Sequence, residues 1–462
     1  INTMPSYLPA APPGGFPATP PYYSGQITGS IDDGLVTPSA HMINFAVSKQ
    51  FGNDFSIEGA YVGRFGRDQI VRRDLAMPMD LVDPDSGQAY FSAAQQVIGV
   101  YQGAGLDGNM DPSAFAGLGA IPYWENLFPD LAGSWGAGLT ATQAAAYTYA
   151  YFEPDYITAL WAMDQFGFPA FSRFGEYAYF NPQYDSLGVI SSVGRSNYNA
   201  AQVTFRKRYA QGYQFDVNYT VGVSKDLASG AERGSQWGNF DPGGYRGFLV
   251  NTWDPDANYR NSDYNLRHQI NFNGIWDLPF GSGRRYASNA SGLKQGLLGD
   301  WAFSGLVRWT SGFPFNVINC RSCWATNWNL QGNAALVDPG VLPALATTPN
   351  AVDDRPSPFE NPEAALDKFR RVLPGEIGLR NELTGDGFFT IDVSFSKAIR
   401  LGGSHRLRFR WDIFNLTNTP SYDVYYLNAF PDRSGFGRYD GSFATCDALA
   451  GRCMQFALRY EF

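Results

Sequence analysis

The last nine residues of the chain, 454–462, alternate strictly between apolar and other side chains. Apolar residues occupy every second position, and glutamine, alanine, arginine and glutamate stand between them. This period of two predicts a strand with one apolar and one polar face, about long enough to cross a bilayer when tilted. A soluble sheet would leave this aromatic edge free to pair with other chains, whereas a closed membrane barrel pairs its last strand with its first. The pattern therefore favours a transmembrane barrel.

The same alternation recurs in pairs of segments joined by short turns. Turns near residues 52, 211, 283 and 403 separate these segments at one end. Long stretches without the alternation separate them at the other end, at 66–196, 226–262, 313–386 and 417–452. This asymmetry is typical of outer-membrane barrels. The predicted strands are 41–51, 54–65, 197–209, 213–225, 264–279, 299–312, 388–400, 405–416 and 454–462.

The number of predicted strands is odd, whereas single-chain bacterial barrels have an even number. Residues 1–40 are rich in proline and are predicted to form an irregular loop. We therefore predict an all-β, antiparallel transmembrane barrel of which residues 1–462 form the C-terminal portion. The strands should form one meander in which each pairs with the next, and the first and last should not pair with each other.

The long stretches are expected to carry structure of their own, because structureless loops of this length are uncommon. Residues 87–102 are rich in alanine and glutamine and favour a helix. Thr140 is placed to cap a helix that runs to Tyr151, and a third helix is predicted from Glu153 to about Gly167. The fold prediction is thus a barrel with long, partly helical extracellular loops.

Composition excludes several classes of protein. No run approaches the ~18 apolar residues of a membrane helix. The net charge of −9 argues against nucleic acid as a partner. With three scattered histidines and no hydrolase or metalloprotease motif, no catalytic set can be assembled, so we do not expect an enzyme. The N-terminus shows no signal peptide, so a barrel sequence like this is expected to start after processing or to be a piece of a longer protein.

The end of the chain resembles the C-terminal insertion signal of Gram-negative outer-membrane barrels. Gln455 supplies the polar residue of that signal, Phe456, Leu458 and Tyr460 supply the alternating apolar residues, and Phe462 is the terminal aromatic. Four internal stretches are similar, in this order, to the barrel of Oar-like TonB-dependent receptors: 196–208, 267–280, 309–315 and 407–418.

The resemblance implies a barrel of about 22 strands plugged by an N-terminal domain, often preceded by a sandwich domain. Neither plug nor sandwich is recognised in residues 1–462. The implied location is the outer membrane of a Gram-negative bacterium. The implied partners are outer-membrane lipid, the TonB complex through the plug portion, and the barrel assembly machinery. A second chain is an alternative source of the strands that would complete the barrel.

The four cysteines form two close pairs in chain order, Cys320 with Cys323 and Cys446 with Cys453. Exported proteins favour disulfides, so we predict a disulfide within each pair, both on the outer side. The alternatives are free thiols or a metal site, although no histidine lies near Cys320 and Cys323. No metal site is assigned to the cysteines.

Arg406, Arg408 and Arg410 share one face of a predicted strand, opposite an apolar face. They are candidates to hold plug carboxylates or an anionic ligand, and the simpler interpretation is a hydrated wall paired with nearby acids. Tryptophans in the outer loops are candidates for ligand stacking: Trp135, Trp237, Trp324 and Trp328. No cofactor is expected, but calcium in an outer loop is an alternative, through acids such as Asp83, Asp85, Asp254 and Asp256.

The sequence therefore predicts TonB-dependent transport across the outer membrane, for a ligand too large or too scarce for porins. The alternative is a surface-display, adhesive or structural protein that uses the barrel as an anchor. A plug with a TonB-binding segment upstream would favour transport, and its absence from the intact protein would favour display.

Overall fold

Nine long strands pair in chain order to form one antiparallel sheet. The computed structural model describes residues 25–136, 138–229, 249–320, 323–328, 332–349, 355–431, 434–441 and 451–462. A short strand, β1 (Gln26–Ile31), comes first. The nine long strands are β2 (Ser39–Phe51), β3 (Phe55–Asp74), β4 (Tyr184–Ala210), β5 (Tyr213–Asp226), β7 (His268–Asp277), β8 (Trp301–Thr310), β15 (Phe388–Gly402), β16 (His405–Phe414) and β17 (Cys453–Glu461).

The remaining elements lie in the connections. The short strands are β6 (Arg260–Asn261), β9 (Pro314–Phe315), β10 (Ala335–Leu336), β11 (Leu345–Pro349), β12 (Pro356–Phe359), β13 (Phe369–Arg370) and β14 (Leu383–Thr384). The helices are α1 (Tyr90–Gly103), α2 (Pro122–Leu127), α3 (Ala141–Phe152), α4 (Tyr156–Phe166), α5 (Gly292–Leu298) and α6 (Pro362–Leu366). None of the helices in the described ranges is both long and apolar enough to cross a membrane.

The meander predicted from the alternation is confirmed, and its tight turns have local causes. Ala210 pairs with Tyr213, which leaves a two-residue hairpin loop. Gln211 and Gly212 both have positive φ, at 58° and 87°. This is the conformation that matches the twist of the flanking strands in two-residue hairpins.

The two ends of the sheet are β2 and β17, and the described residues show no pairing between them. The prediction that these nine strands do not close on each other is therefore confirmed. All thirteen residues of β2 are exposed, which is the expected state of an edge strand without a neighbour on one side.

The prediction that residues 1–40 form an irregular loop is wrong for part of that range. Residues 26–31 form β1, which pairs with β4 in parallel, from Gln26 opposite Tyr184 to Ile31 opposite Ile190. The β4 residues from Gly188 to Ile190 also pair with β3, so β1 must lie on the other edge of β4, beyond the end of β5. Asp32 anchors the segment through its ion pair with Arg73, 3.1 Å long. Residues 1–24 lie outside the described residues.

Three predicted boundaries also differ from the structure. β3 continues to Asp74 because its pairing with β4 resumes after irregularities between Gly66 and Val71. These irregularities break the alternation that the prediction relied on. β4 begins at Tyr184 because its first residues pair with β1. The turn predicted at residues 281–285 is a longer connection that contains α5.

The long loops have hydrophobic cores of their own. One core, which we call the loop body, lies mainly within residues 75–183 and includes α1 to α4. The predicted helices are confirmed here: Thr140 and Gln143 form a capping box at the start of α3, and Gly167 ends α4 in the left-handed conformation. A second core joins the loop after β8 to the loop after β16, with Phe315, Phe359 and Phe430 among its members.

Gly312 allows the close approach of two of these segments. A Cβ at this position would lie 1.7 Å from the carbonyl oxygen of Gly385. We expect Gly312→Ala to destabilise the fold by about 1–3 kcal/mol, because the backbone must shift to relieve the overlap. The measurement is the temperature at which the folded band converts to the unfolded band in semi-native electrophoresis. Gly59→Ala is the matched control, since nothing lies within 4 Å of its Cβ. An equal melting temperature for both variants would contradict the prediction.

Candidate functional site

The candidate site is the polar face of the sheet, together with the loop body at one end of the strands. Directly paired residues in an antiparallel ladder point to the same face. One row of paired residues crosses seven strands from β2 to β15 and is polar throughout: Ser48, Glu58, Thr204, Asn218, Asn271, Arg308 and Thr390. Near the other edge, a row of Ser304, Ser394, Asp412 and Gln455 continues this polar face to β17.

The neighbouring rows, on the opposite face, are almost entirely apolar. The first is Val47, Gly59, Val203, Tyr219, Ile270, Trp309 and Phe389. The second is Phe303, Phe395, Trp411 and Phe456, whose successive ring centroids are 5.3, 5.8 and 5.8 Å apart. We call these the polar face and the apolar face. The sheet thus separates an aqueous side from an apolar side across its whole width.

Lysines interrupt the apolar face near the short turns, among them Lys49, Lys207 and Lys397, and the last two bind backbone carbonyl oxygens. The ammonium of Lys207 donates to the carbonyl oxygens of Ala210 at 3.0 Å and Tyr213 at 3.3 Å. The ammonium of Lys397 donates to the carbonyl oxygen of Gly299 at 2.6 Å. Each stem packs on the apolar face while the charged head reaches the carbonyls of a turn, as amphipathic side chains do at an interface. These lysines mark where the apolar face ends.

The three predicted arginines lie on the polar face of β16, beside β17. Arg410 pairs with Asp412 at 2.8 Å, and Arg408 lies 3.6 Å from Glu461. Arg459 of β17 lies opposite Arg408 and shares the same glutamate at 3.7 Å. The acids expected in the simpler interpretation are therefore present, but these four arginines face only two carboxylates in the described part of this wall. The wall keeps an excess of positive charge.

Buried tyrosines dominate the loop body. The hydroxyls of Tyr90 and Tyr149 are 3.0 Å apart, and those of Tyr123 and Tyr179 are 2.7 Å apart. Burial raises the pKa of all four phenols, so they stay protonated and available as donors. These pairs satisfy the polar atoms of a core that is otherwise apolar.

The predicted tryptophans do not form one site. Trp324 and Trp328 are neighbours, with ring centroids 6.0 Å apart, and Trp328 also contacts Trp161. Trp135 belongs to a separate aromatic group with Tyr147 and Phe168. Trp237 lies outside the described residues. Trp161 was not singled out from the sequence, because it lies on a helix and shows no pattern that distinguishes it from core residues.

The acids considered for calcium are engaged in other ways. Asp83 accepts hydrogen bonds from Ser86 and Asn126, and Asp85 forms an ion pair with Arg173. Asp254 caps a short 3₁₀ turn, and Asp256 pairs with Arg195. Within the described ranges, no three acids, cysteines or histidines gather as a metal site would require.

Cys320 and Cys323 form a disulfide, the pairing predicted from chain order. Both side chains are buried. Cys446 lies outside the described residues, so the second predicted disulfide stays a prediction.

Residues 1–455 match the family described as outer membrane beta barrel domain. The chain belongs to this family. It is therefore a protein of the Gram-negative outer membrane, with its apolar face toward lipid and its short turns toward the periplasm.

Among solved structures, the barrel is similar to the outer membrane transporter YddB from Escherichia coli. The match has a TM-score of 0.37 and 10% sequence identity, and it covers 95% of this chain and 34% of the other. The chain thus spans about a third of the length of that transporter. No curated protein matches the sequence.

In an outer-membrane barrel, the polar face lines the interior and the long loops lie at the cell surface. Phe456, Leu458 and Tyr460 of the predicted insertion signal lie on the lipid side and are exposed, and Gln455 lies on the polar face. Phe462 follows β17 and is 88% exposed.

Arg380 is a residue of this barrel that sequence reasoning missed. It comes from the loop after β8, and its guanidinium reaches Asp226 at the end of β5 with an N–O distance of 2.6 Å. The same side chain donates to the carbonyl oxygens of Asp226 and Asn258. It therefore joins two outer loops to the wall of the sheet. No sequence pattern distinguishes Arg380 from other loop arginines.

Proposed function

We propose that this chain forms part of the wall and outer loops of an Oar-like receptor that takes up a large or scarce ligand with energy from TonB. The observation that carries the proposal is the polar face, which one row of paired residues follows from β2 to β15 and a second row follows from β8 to β17. This face leads to structured loops. A polar interior provides hydrogen bonds for a hydrated ligand or plug along its whole height. Structured loops above it provide a place for first contact.

The cationic wall on β16 and β17 fits the same proposal. Arg406, Arg408 and Arg410 would contact carboxylates of a plug or an anionic ligand inside the barrel. The half-buried tryptophans of the outer loops, Trp135, Trp324 and Trp328, would contact the ligand earlier through their accessible edges. The protein partners in this proposal are the TonB complex and the barrel assembly machinery. We propose no catalytic activity for the chain.

Energised transport predicts that access to the barrel interior depends on TonB. We expect a cysteine at Asn271, on the polar face, to react with a water-soluble maleimide in cells that express the full-length protein. Labelling should fall several-fold when TonB is deleted or the proton gradient is removed, because the plug then stays seated. Ile270→Cys is the matched control. Ile270 is the neighbour of Asn271 in the chain but lies on the apolar face, so lipid should block its labelling in every condition.

Two results would contradict the transport proposal. Equal labelling of Asn271→Cys with and without TonB would favour a display or adhesion protein. Labelling of Ile270→Cys as strong as that of Asn271→Cys would contradict the assignment of the two faces.

One observation favours the second candidate function, surface display or adhesion. The largest hydrophobic core of the described residues lies in the outer loop body rather than in the sheet. A loop body with its own core can present a rigid surface to a partner. Deleting the loop body should then abolish surface binding while TonB has no effect on it.

A further inference from the structure

The apolar face carries a groove near the periplasmic turns that the proposed transport does not use. Gly274 of β7 pairs directly with Gly305 of β8. Phe215 and Val393 occupy the same row on either side, so the two glycines remove two neighbouring side chains from the lipid-facing surface. The resulting depression opens into a cavity of about 1000 Å³.

The walls of this groove are aromatic. Phe272, Trp276 and Phe303 line it from the strands, and Phe280 and Tyr286 line it from the turn that follows β7. The rings of Phe280 and Tyr286 are 5.5 Å apart, and three backbone hydrogen bonds hold the turn: Tyr286 to Pro279, Gly281 to Tyr286 and Arg284 to Gly281. Gln211, Gln214 and Asp277 also line the cavity, but most of its large side chains are aromatic. An aromatic wall held by an ordered turn suits a hydrocarbon chain.

Two arginines lie at the periplasmic end of the groove. Arg284 and Arg285 both line the cavity, and both are exposed. Among the described residues, neither has a carboxylate within ion-pair distance; Arg285 only contacts the Tyr286 ring, with its guanidinium carbon 5.5 Å from the ring centroid. Lys207, whose ammonium binds the carbonyls of the adjacent turn, shows that this is the depth where the apolar face ends. The arginines are thus placed at the headgroup level.

We propose that this groove is a binding site for one phospholipid of the periplasmic leaflet. One acyl chain lies over Gly274 and Gly305, between the aromatic side chains. The phosphate accepts hydrogen bonds from Arg284 and Arg285, whose guanidinium groups match phosphate geometry. The two guanidinium groups outnumber the one carboxylate in the cavity lining, that of Asp277, so the charge of the lining favours an anionic phosphate headgroup. The side chains missing at the two glycines favour a lipid tail over a free anion.

The test is native mass spectrometry of the protein extracted from the outer membrane in mild non-ionic detergent. The probes are dioleoylphosphatidylglycerol, dioleoylglycerol, which has the same chains without the phosphate, and inorganic phosphate. We expect one phosphatidylglycerol to remain bound to the unaltered protein, and neither of the other probes to replace it. Arg284→Gln with Arg285→Gln should weaken binding about 100-fold, which corresponds to about ten-fold for each of the two charge-assisted hydrogen bonds lost.

Filling the groove tests the acyl-chain contact separately. Gly305→Leu should abolish lipid retention, and its Cβ would approach nothing closer than the Phe303 ring at 3.6 Å, so the strand can accept it. Gly59→Leu places the same side chain elsewhere on the apolar face and should keep the lipid. Arg208→Gln with Arg400→Gln removes two exposed arginines near the same end of the strands and should also keep it. Circular dichroism checks that each variant is folded.

Three outcomes would overturn the proposal. Equal lipid retention in all variants would show only the general lipid layer around a barrel. Displacement of the lipid by inorganic phosphate, with no effect of Gly305→Leu, would show a free-anion site. A dimer mass that Gly305→Leu abolishes would show that a second copy of the chain fills the groove.

Discussion

Replacing Arg380 with methionine is expected to lower the free energy of opening of the outer loops by about 3–5 kcal/mol, because it leaves the buried carboxylate of Asp226 without its guanidinium partner. The side chains of both residues are 11% exposed, and the pair also engages Ser229 and the carbonyl oxygen of Asn258. Breaking one side of a buried ion pair costs far more than the pair itself contributes. The measurement is the rate at which a protease cleaves the outer loops in intact outer-membrane vesicles.

The control is Arg371→Met in the same loop. Arg371 contacts Glu153 at 3.5 Å, but its side chain is 47% exposed, so its loss should change the free energy of loop opening by less than about 1 kcal/mol. Replacing Asp226 with asparagine together with Arg380→Met should restore most of the protection, since no buried charge remains. Equal cleavage of the two single variants would show that burial of the Arg380 pair is unimportant.

Replacing Asp164 is expected to destabilise the loop body strongly. It lies fully buried on α4, and its carboxylate accepts hydrogen bonds from the backbone N–H groups of Ala178, Tyr179 and Phe180 at 2.7, 3.1 and 2.9 Å. Asp164→Ala leaves three buried donors without an acceptor, at about 1–3 kcal/mol each. We therefore expect destabilisation of the loop body by about 3 kcal/mol or more.

Hydrogen exchange of these three amides measures the effect directly. They should be protected in the unaltered protein and exchange much faster in Asp164→Ala. Asp130→Ala is the control, because Asp130 is exposed in the same loop body. Retained protection in Asp164→Ala would mean that the N–H groups find other acceptors, contrary to the prediction.

The same carboxyl should make the loop body sensitive to pH. Burial raises the pKa of Asp164 to about 6, from an ordinary value of 3.8. Between these two pH values the folded state holds a proton on Asp164 that the unfolded state has released. Binding of this proton therefore stabilises the folded loop body fully below about pH 4, and the stabilisation is lost as the pH rises through about 6. Asp164→Asn should remove this dependence. A loop body that opens more readily as the pH falls from 7 to 4, in a manner that Asp164→Asn abolishes, would reverse the sign and contradict the assignment.

The strands and their faces could be predicted because alternation is a local property of extended backbone. Each residue turns its side chain to the opposite side from the one before it, so the faces of β17 follow from residues 454–462 without knowledge of any neighbour. The rule failed where the local geometry changed. Irregular pairing around Gln69 hid the outer part of β3, and β1 is too short and too near proline-rich sequence to stand out.

Two of the loop helices, α3 and α4, were predicted from a specific signal at one end, and α1 was predicted from its alanine and glutamine content. Thr140 with Gln143, and Gly167, satisfy backbone groups at the ends of α3 and α4. The short helix α5 has no side-chain cap at Ser291, so nothing in the sequence marked its start.

Which residues of a long strand meet lipid and which meet water can be deduced from the alternation alone, since that choice depends on backbone geometry and on hydrophobicity at each position. Which distant groups come into contact depends on the path of the folded chain. Arg380 and Asp226 are 154 positions apart, and the groove arises because Gly274 and Gly305 happen to face each other across β7 and β8. Neither contact has a period or a motif, because each depends on how the chain folds between the two residues.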